Sequence, residues 1–470
     1  MTFLETPSSK ALVREGGCDA LKIGALETYV PAMGVFLQGT AMQVGTLATL
    51  PPFLGAISQL VGMRLAERTG SRRQGVIRLI RAQALLCIPI ALLPLILGAG
   101  WVSTALLISL FTLYQATIGM IAPLWNSLVG DIIPPTSRGE FFGYRNKWMA
   151  ILTFVAVFFA GQLLHQSKSL NLEAWGFFSI VIIAALARLS SSFPLRRVSD
   201  PTLHVPHESK FSFWQFISRA RSSNFVKFVI FVSFMNFGTA ISGPYFAMYM
   251  LQDLSFSYHE YTLVVASVVL AQFGVMRSWG AISDQFGNRK ILLVCGTLVS
   301  MNPVLWLISS QLWFVLLIQL YSGIFWAGFN LAAANFVFDA VTPPKRARCI
   351  AYQAIINGIC VLAGSLCGAF IATHMPVEWG DTFAWLIKPS RFLPLFVISA
   401  ALRLLAVAGL LPLFKEVRPV EHIRGHELLV RITSLRPLWG ATFAIVSNGY
   451  DAVARRKTKA SRTTRTSKIE

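Results

Sequence analysis

One charged phrase occurs twice in this chain, and the repetition limits the fold more than any other feature. Asp131, Pro134, Pro135 and Arg138 return later as Asp339, Pro343, Pro344 and Arg348, and an asparagine stands eight residues before the first proline of each copy, Asn126 and Asn335. A second loop recurs in the same order. Glu67, Arg68, Gly70, Arg72 and Arg73 are matched by Asp284, Gly287, Arg289 and Lys290, with Gly280 leading the second copy. Each copy follows one long apolar run and precedes another. Two halves sharing charged punctuation between apolar runs read as a duplicated helical membrane protein.

The balance of residues agrees. Hydrophobic residues make up 54% of the 470 and charged residues only 13%, too few charges to keep a soluble surface of this size wet. Twelve apolar runs are legible, the first at 22–41 and the last at 391–414. Runs of roughly 18–25 residues can cross a hydrocarbon core of about 30 Å at 1.5 Å per residue. The expected fold class is an all-α integral membrane protein, twelve transmembrane helices in two six-helix pseudo-repeated bundles.

A formal charge of +20 could suggest nucleic acid, but its placement points elsewhere. With the N-terminus inside, the Lys and Arg residues gather at the N-terminus, in the even-numbered connections and in the tail. Lys168, Lys388 and Arg391 fall outside that set, and Arg403 lies within a span. This is positive-inside sorting, so both termini are expected in the cytoplasm, in a plasma (inner) membrane, with no nucleic-acid partner. The expected organisation is a cytoplasmic N-terminus (1–21), a first bundle (22–195), a basic linker (196–224), a second bundle (225–414) and a basic tail (415–470). The tail's Ser/Thr-rich end reads as disordered, and the stretch before it as a helix on the anionic inner leaflet. No cleavable signal sequence is expected, since the first 22 residues are mixed and polar. The six cysteines form no CxxC pair and read as packing residues, with no metal site.

On these two loops and their order, the chain resembles the major facilitator superfamily of secondary transporters. The stretch Gly280 to Lys290 fits that family's acid-x-x-Gly-x-basic-basic hallmark. The first copy departs from it, with Met63 where the leading glycine usually stands and Gly62 one place early. The resemblance covers about residues 20–415 and implies rigid bundles that rock against each other, with these loops as gating contacts. It also implies a cavity lined mainly by spans one, four, seven and ten. The polar and aromatic residues expected there are Gln38, Tyr114, Asn126, Asn236, Trp326, Asn330 and Asn335, each of which could equally serve helix packing.

Glu27, Arg188 and Arg403 stand within apolar runs. Glu27 is the only carboxylate there by these boundaries. A carboxylate in such a setting is costly when ionised and suits proton carriage, unless it pairs with an arginine such as Arg81 or Arg145. Arg188 lies near enough to the cytoplasmic end to snorkel. Arg403 is deeper and needs a partner, a carbonyl contact, a substrate or a wet cavity.

The expected function is secondary active transport of a small solute by alternating access, coupled to protons or another ion, by a monomer without cofactors. The alternative is a transport-inactive relative serving in membrane assembly or scaffolding. Catalysis is not expected, because HExxH, GxSxG and P-loop patterns are absent from the sequence.

Overall fold

A computed structural model describes residues 6–69, 71–134, 137–200, 223–374 and 390–418. Among the described residues there are helices and no strands. The first passage starts at α1 (Pro7–Lys22), continues through a π-helical turn at Ile23–Glu27 and ends in α2 (Val30–Phe36). Then follow α3 (Ala41–Thr69), α4 (Arg72–Ile96), α5 (Trp101–Ile132), α6 (Arg138–Ser169) and α7 (Glu173–Leu195). The second half opens with α8 (Asn224–Ser242), α9 (Tyr245–Met248) and a π-turn at Tyr249–Asp253, which together make one passage. It continues with α10 (Tyr258–Phe286), α11 (Asn288–Leu305), α12 (Leu312–Ala340), α13 (Pro343–His374) and α14 (Leu393–Leu405). The last passage closes with a π-turn at Ala406–Leu410 and a 3₁₀ turn at Leu411–Leu413. These elements make twelve passages, six in each half.

The first passage corrects the sequence reading. Helix begins at Pro7 rather than at residue 22, because Thr6 caps it through a bond from the Ser9 amide (3.2 Å) and Pro7 sits where a missing N–H costs nothing. Among the described residues, nine passages are long and apolar enough to span a membrane by length and composition. The first is not among them, because its inner portion is charged.

Packing repeats with the sequence. The helices α3 and α5 pair in the first half as α10 and α12 do in the second; α4 with α7 is matched by α11 with α14. Across the halves, α3 meets α13 and α6 meets α10. Among the described residues the buried apolar core is one shared cluster at one end of the bundle and separate clusters for each half at the other. The shared cluster joins Tyr29, Phe177 and Leu37 to Tyr245, Tyr258 and Trp306. The separate ones hold first-half residues such as Leu12, Val76 and Phe141, and second-half residues such as Phe228, Phe336 and Phe414. The end with split cores carries the duplicated loops and is called here the basic end. At the far end the halves are tied by Tyr29 to Thr262 (2.7 Å between hydroxyls), Gln162 to His259 (2.6 Å) and the Phe177–Tyr258 ring pair.

Candidate functional site

Extending the first passage to Pro7 places two further carboxylates, Glu15 and Asp19, inside the bundle with Glu27. Three cations answer them. Arg145 on α6 donates to Glu15 (3.1 Å), and Arg188 on α7 donates to Asp19 (2.7 Å). Lys22 bridges Asp19 (3.1 Å) and Glu27 (2.8 Å). Neutral groups complete the cluster. The Tyr114 hydroxyl donates to Glu27 (2.9 Å), the Trp125 indole N–H to Glu15 (3.2 Å), and Arg188 Nε to the Gln83 amide oxygen. Arg145 lies over the Trp125 ring, 4.5 Å from its centre. Three acids and three bases make the cluster neutral as drawn, which is what permits six ionisable groups in an apolar bundle. Glu27 and Asp19 keep about a fifth of their side-chain surface (23% and 20%), whereas the Lys22 and Arg188 side chains are almost wholly buried.

The π-turn shapes this cluster. The Thr28 N–H reaches the carbonyl of Ile23 (3.2 Å), a five-residue span that widens the helix locally. Gly24 makes the widening possible: a Cβ there would stand 2.6 Å from both the Ala156 methyl and the Thr153 carbonyl of α6.

A second centre lies between the halves. A cavity of about 510 Å³ is walled on one side by Pro31, Ala48 and Thr49 of the first half. Its remaining wall comes from the second half, including Asn236, Phe246, Tyr261, Asn302, Trp306, Trp326 and Arg403. Arg403 is 2% exposed and is held by the Val299 carbonyl and the Ser242 hydroxyl, each at 3.2 Å.

The duplicated loops are built differently in the two halves. Arg72 donates to Asp131 (2.7 Å) and Ser127 (2.9 Å), while the Ser71 hydroxyl donates to Asp200 just beyond the sixth passage (2.5 Å). In the second half Asn288, at the position of Ser71, is the residue that donates to Asp339 (2.8 Å), which also pairs with Arg418 (2.7 Å). Arg289 offers its backbone N–H to Glu416 (2.7 Å). Gly287 has φ +85°, the left-handed region a turn needs and a glycine supplies. The side chains of Glu67, Arg68, Arg138, Asp284 and Arg348, and the residue Gly70, lie outside the described residues, as do 201–222 of the linker and 419–470 of the tail.

The remaining expectations divide. Glu27 pairs with Lys22, not with Arg81 or Arg145, because the π-turn brings its own helix neighbour alongside. It is also not the only carboxylate of the first passage. Arg188 does not snorkel; it is 3% exposed and points into the acid cluster. Arg403 has the carbonyl contact and also faces a cavity. Among the proposed cavity residues, Asn236 and Trp326 line the cavity, and Asn236 also donates to Asn357 (3.0 Å). Tyr114 instead serves the acid cluster, and Asn335 donates to Ser283 between helices (3.3 Å). Gln38 stands exposed in the turn after α2 with φ +57°, and Asn126 and Asn330 are exposed on their helices, outside the cavity wall. The departure at Met63 puts close helix approach in doubt for the first half, yet Gly62 makes it there, against the Met120 carbonyl. At Gly280 a Cβ would meet nothing within 4 Å among the described residues. Sequence reasoning missed Glu15, Asp19, Lys22, Asn302 and Trp306.

A family model for the MFS_1-like family matches residues 21–385. Over 117 residues the chain is 32% identical to the class B tetracycline resistance protein of Escherichia coli, a stretch covering 23% of this chain and only 29% of that relative's length. Similar solved structures include the nucleoside transporter NupG, with TM-score 0.65, 13% identity, and coverage of 87% of this chain and 100% of that one. A bacterial homolog of the lysosomal transporter Spinster, captured inward-facing and occupied, gives 0.62 at 13% identity, covering 88% and 100%. The E. coli xylose transporter XylE gives 0.60 at 12% identity, covering 90% and 100%. At such identities these structures speak for the shared twelve-helix fold.

Proposed function

The chain belongs to the MFS_1-like family, a multi-pass membrane transporter by that membership, and from this premise we propose that it is a secondary active transporter working by alternating access. The observation that carries the reading is the divided core. Apolar packing is continuous across the halves at the far end and splits into clusters confined to one half each at the basic end. Between them lies a cavity walled by both halves. Two bundles hinged at one end and parted at the other are the geometry that rocking about a central site requires. The basic end faces the cytoplasm, with both termini there, because Lys and Arg concentrate at that end. The protein works in the plasma membrane as a monomer.

The loops act as the gate. Contacts such as Arg72–Asp131, whose carboxylate is half exposed, contribute about 1 kcal/mol or less each, enough to bias two states without freezing either. Coupling is assigned to the acid cluster, with Glu27 as the proton carrier. It is the member with most remaining surface, and it is held by Lys22 and Tyr114, which would compensate either of its charge states.

The test is uptake and efflux by purified protein in liposomes, with and without a pH gradient. The panel should hold nucleosides, pentoses, peptides, tetracycline, organic anions and organic cations. Accumulation of one class against its gradient, abolished by collapsing the pH difference, is expected. Absence of movement for every class in protein that keeps its fold would leave a non-transporting role.

A further inference from the structure

Among the described residues, the cavity between the halves has one cation and no acid to balance it. Arg403 forms no ion pair among the described residues, and no Asp or Glu lines the cavity. A guanidinium has five N–H donors. Arg403 uses one toward the Val299 carbonyl and one toward the Ser242 hydroxyl, both neutral, and its Nε–H is buried without a partner. Two further buried groups of the same wall are also unsatisfied, the Trp306 indole N–H and the Asn302 amide oxygen. The Trp306 side chain is 1% exposed and Asn302 6% exposed, so bulk water does not serve them. Leaving such groups unpaired is costly unless a ligand answers them.

We propose that Arg403, Trp306 and Asn302 form the head-group subsite for an organic monoanion bearing a carboxylate, which is the transported solute. The proposal deepens the transporter reading and rests on it. One uncompensated cation matches one negative charge. The flat, forked guanidinium suits a carboxylate, and the indole N–H of the same cavity wall is a further donor. Asn302 supplies an acceptor for a hydroxyl or amino group next to the carboxylate. Phe246, Tyr261 and Trp326 line the rest of the same cavity and give the body of the solute an apolar, aromatic seat. This arrangement also separates labour: the charge cluster of the first half is neutral by itself, and the solute balances the cation of the cavity.

The experiment uses three probes that share one ring system and differ only in the head group: indole-3-acetate, indole-3-acetamide and tryptamine. A second triplet, propionate, propionamide and propylamine, removes the ring. Binding is read by thermal stabilisation and isothermal calorimetry on purified full-length protein, and transport of the same compounds in liposomes. The carboxylates should bind and the matched amides and amines should not, with the ring-bearing acid tighter than propionate. Arg403→Gln should weaken carboxylate binding roughly 10–100-fold, the size of a lost charge-assisted contact. Trp306→Phe keeps the packing and should weaken it several-fold. Arg403→Gln should also leave the ligand-free protein at least as heat-stable as the parent, since an uncompensated buried charge has been removed. Equal binding of acid, amide and amine, no binding of either acid, or a marked loss of fold in Arg403→Gln would overturn the subsite. Carboxylates that bind through Arg403 but do not cross the liposome membrane would keep the subsite and remove the transport reading. Transport of a cation or neutral solute unaffected by Arg403→Gln would do the reverse.

Discussion

Lys22 and Glu27 stand 2.8 Å apart although five residues separate them in one continuous helical passage. In a regular α-helix, with 3.6 residues per turn, positions five apart point about 140° away from each other. The π-turn at Ile23–Glu27 adds a residue to the turn and returns Glu27 to the face of Lys22. A local irregularity of backbone therefore assembles the part of the acid cluster with most remaining surface.

Gly24→Ala should damage this device specifically. The added methyl would meet the Thr153 carbonyl and the Ala156 methyl at 2.6 Å, so α6 has to move. Overpacking of this kind costs about 1–3 kcal/mol. The variant should show a lower thermal midpoint in detergent and slower turnover, whereas Gly143→Ala, where a Cβ meets nothing within 4 Å among the described residues, should show neither. Equal behaviour of the two variants would mean that the π-turn tolerates repacking and is not a determinant of the site.

Sidedness is open to direct labelling. In a background without the six native cysteines, Asn171→Cys lies in the exposed turn between α6 and α7 at the far end, and Arg197→Cys is exposed just beyond α7 at the basic end. Impermeant maleimide applied to intact cells should modify position 171 and spare position 197. The reverse pattern would invert the orientation and with it the assignment of the split core to the cytoplasm.

The apolar runs and the repeated loops made the twelve-passage fold legible, because a bilayer forces long apolar helices and sorts basic residues to one side. The beginning of the chain was not legible in the same way. Glu15, Asp19 and Lys22 read as a polar leader, since hydropathy measures each residue alone and cannot see that Arg145 and Arg188 arrive from other helices to neutralise them. The one available signal was Thr6-Pro7-Ser8-Ser9, a capping residue followed by proline at a helix start, which marks where the helix begins. For the cavity, helix number selected Asn236 and Trp326 but also admitted Gln38, Asn126 and Asn330, because facing depends on rotation about each helix axis. Asn302 and Trp306 were passed over since they sit on the ninth passage, which the family pattern does not count among the lining helices.

The two copies of the gating loop should respond unequally to the same change. Asp131→Asn removes the carboxylate that holds Arg72. Since Asp131 is half exposed and water replaces part of what is lost, the cost to the fold should be about 1 kcal/mol or less. Asp339→Asn acts on a less exposed carboxylate that holds both Asn288 and Arg418, and it should cost more. Spin-label distances across the basic end should shift in both variants, further in Asp339→Asn, with turnover falling more than expression. Unchanged distances and wild-type turnover in both would reduce these acids to topology signals.

The acid cluster allows the sharpest separation of coupling from stability, because its two least buried carboxylates differ in what depends on them. Asp19 holds both Lys22 and Arg188, so Asp19→Asn strips a charge partner from two buried cations at once. Breaking a buried pair on one side costs about 3–5 kcal/mol, and this variant should express poorly or melt early. Glu27 holds only Lys22, which retains Asp19 at 3.1 Å, and the Tyr114 hydroxyl can donate to a glutamine oxygen as it does to the carboxylate. Glu27→Gln should therefore fold nearly as well as the parent, losing about 1–2 kcal/mol at most. If Glu27 carries the coupled proton, the same variant should lose accumulation driven by a pH gradient, since glutamine cannot cycle between charged and neutral forms. It should keep binding and exchange of solute across equal pH. Accumulation equal to the parent in a well-folded Glu27→Gln would remove Glu27 from coupling and leave the cluster as a structural element of the first bundle.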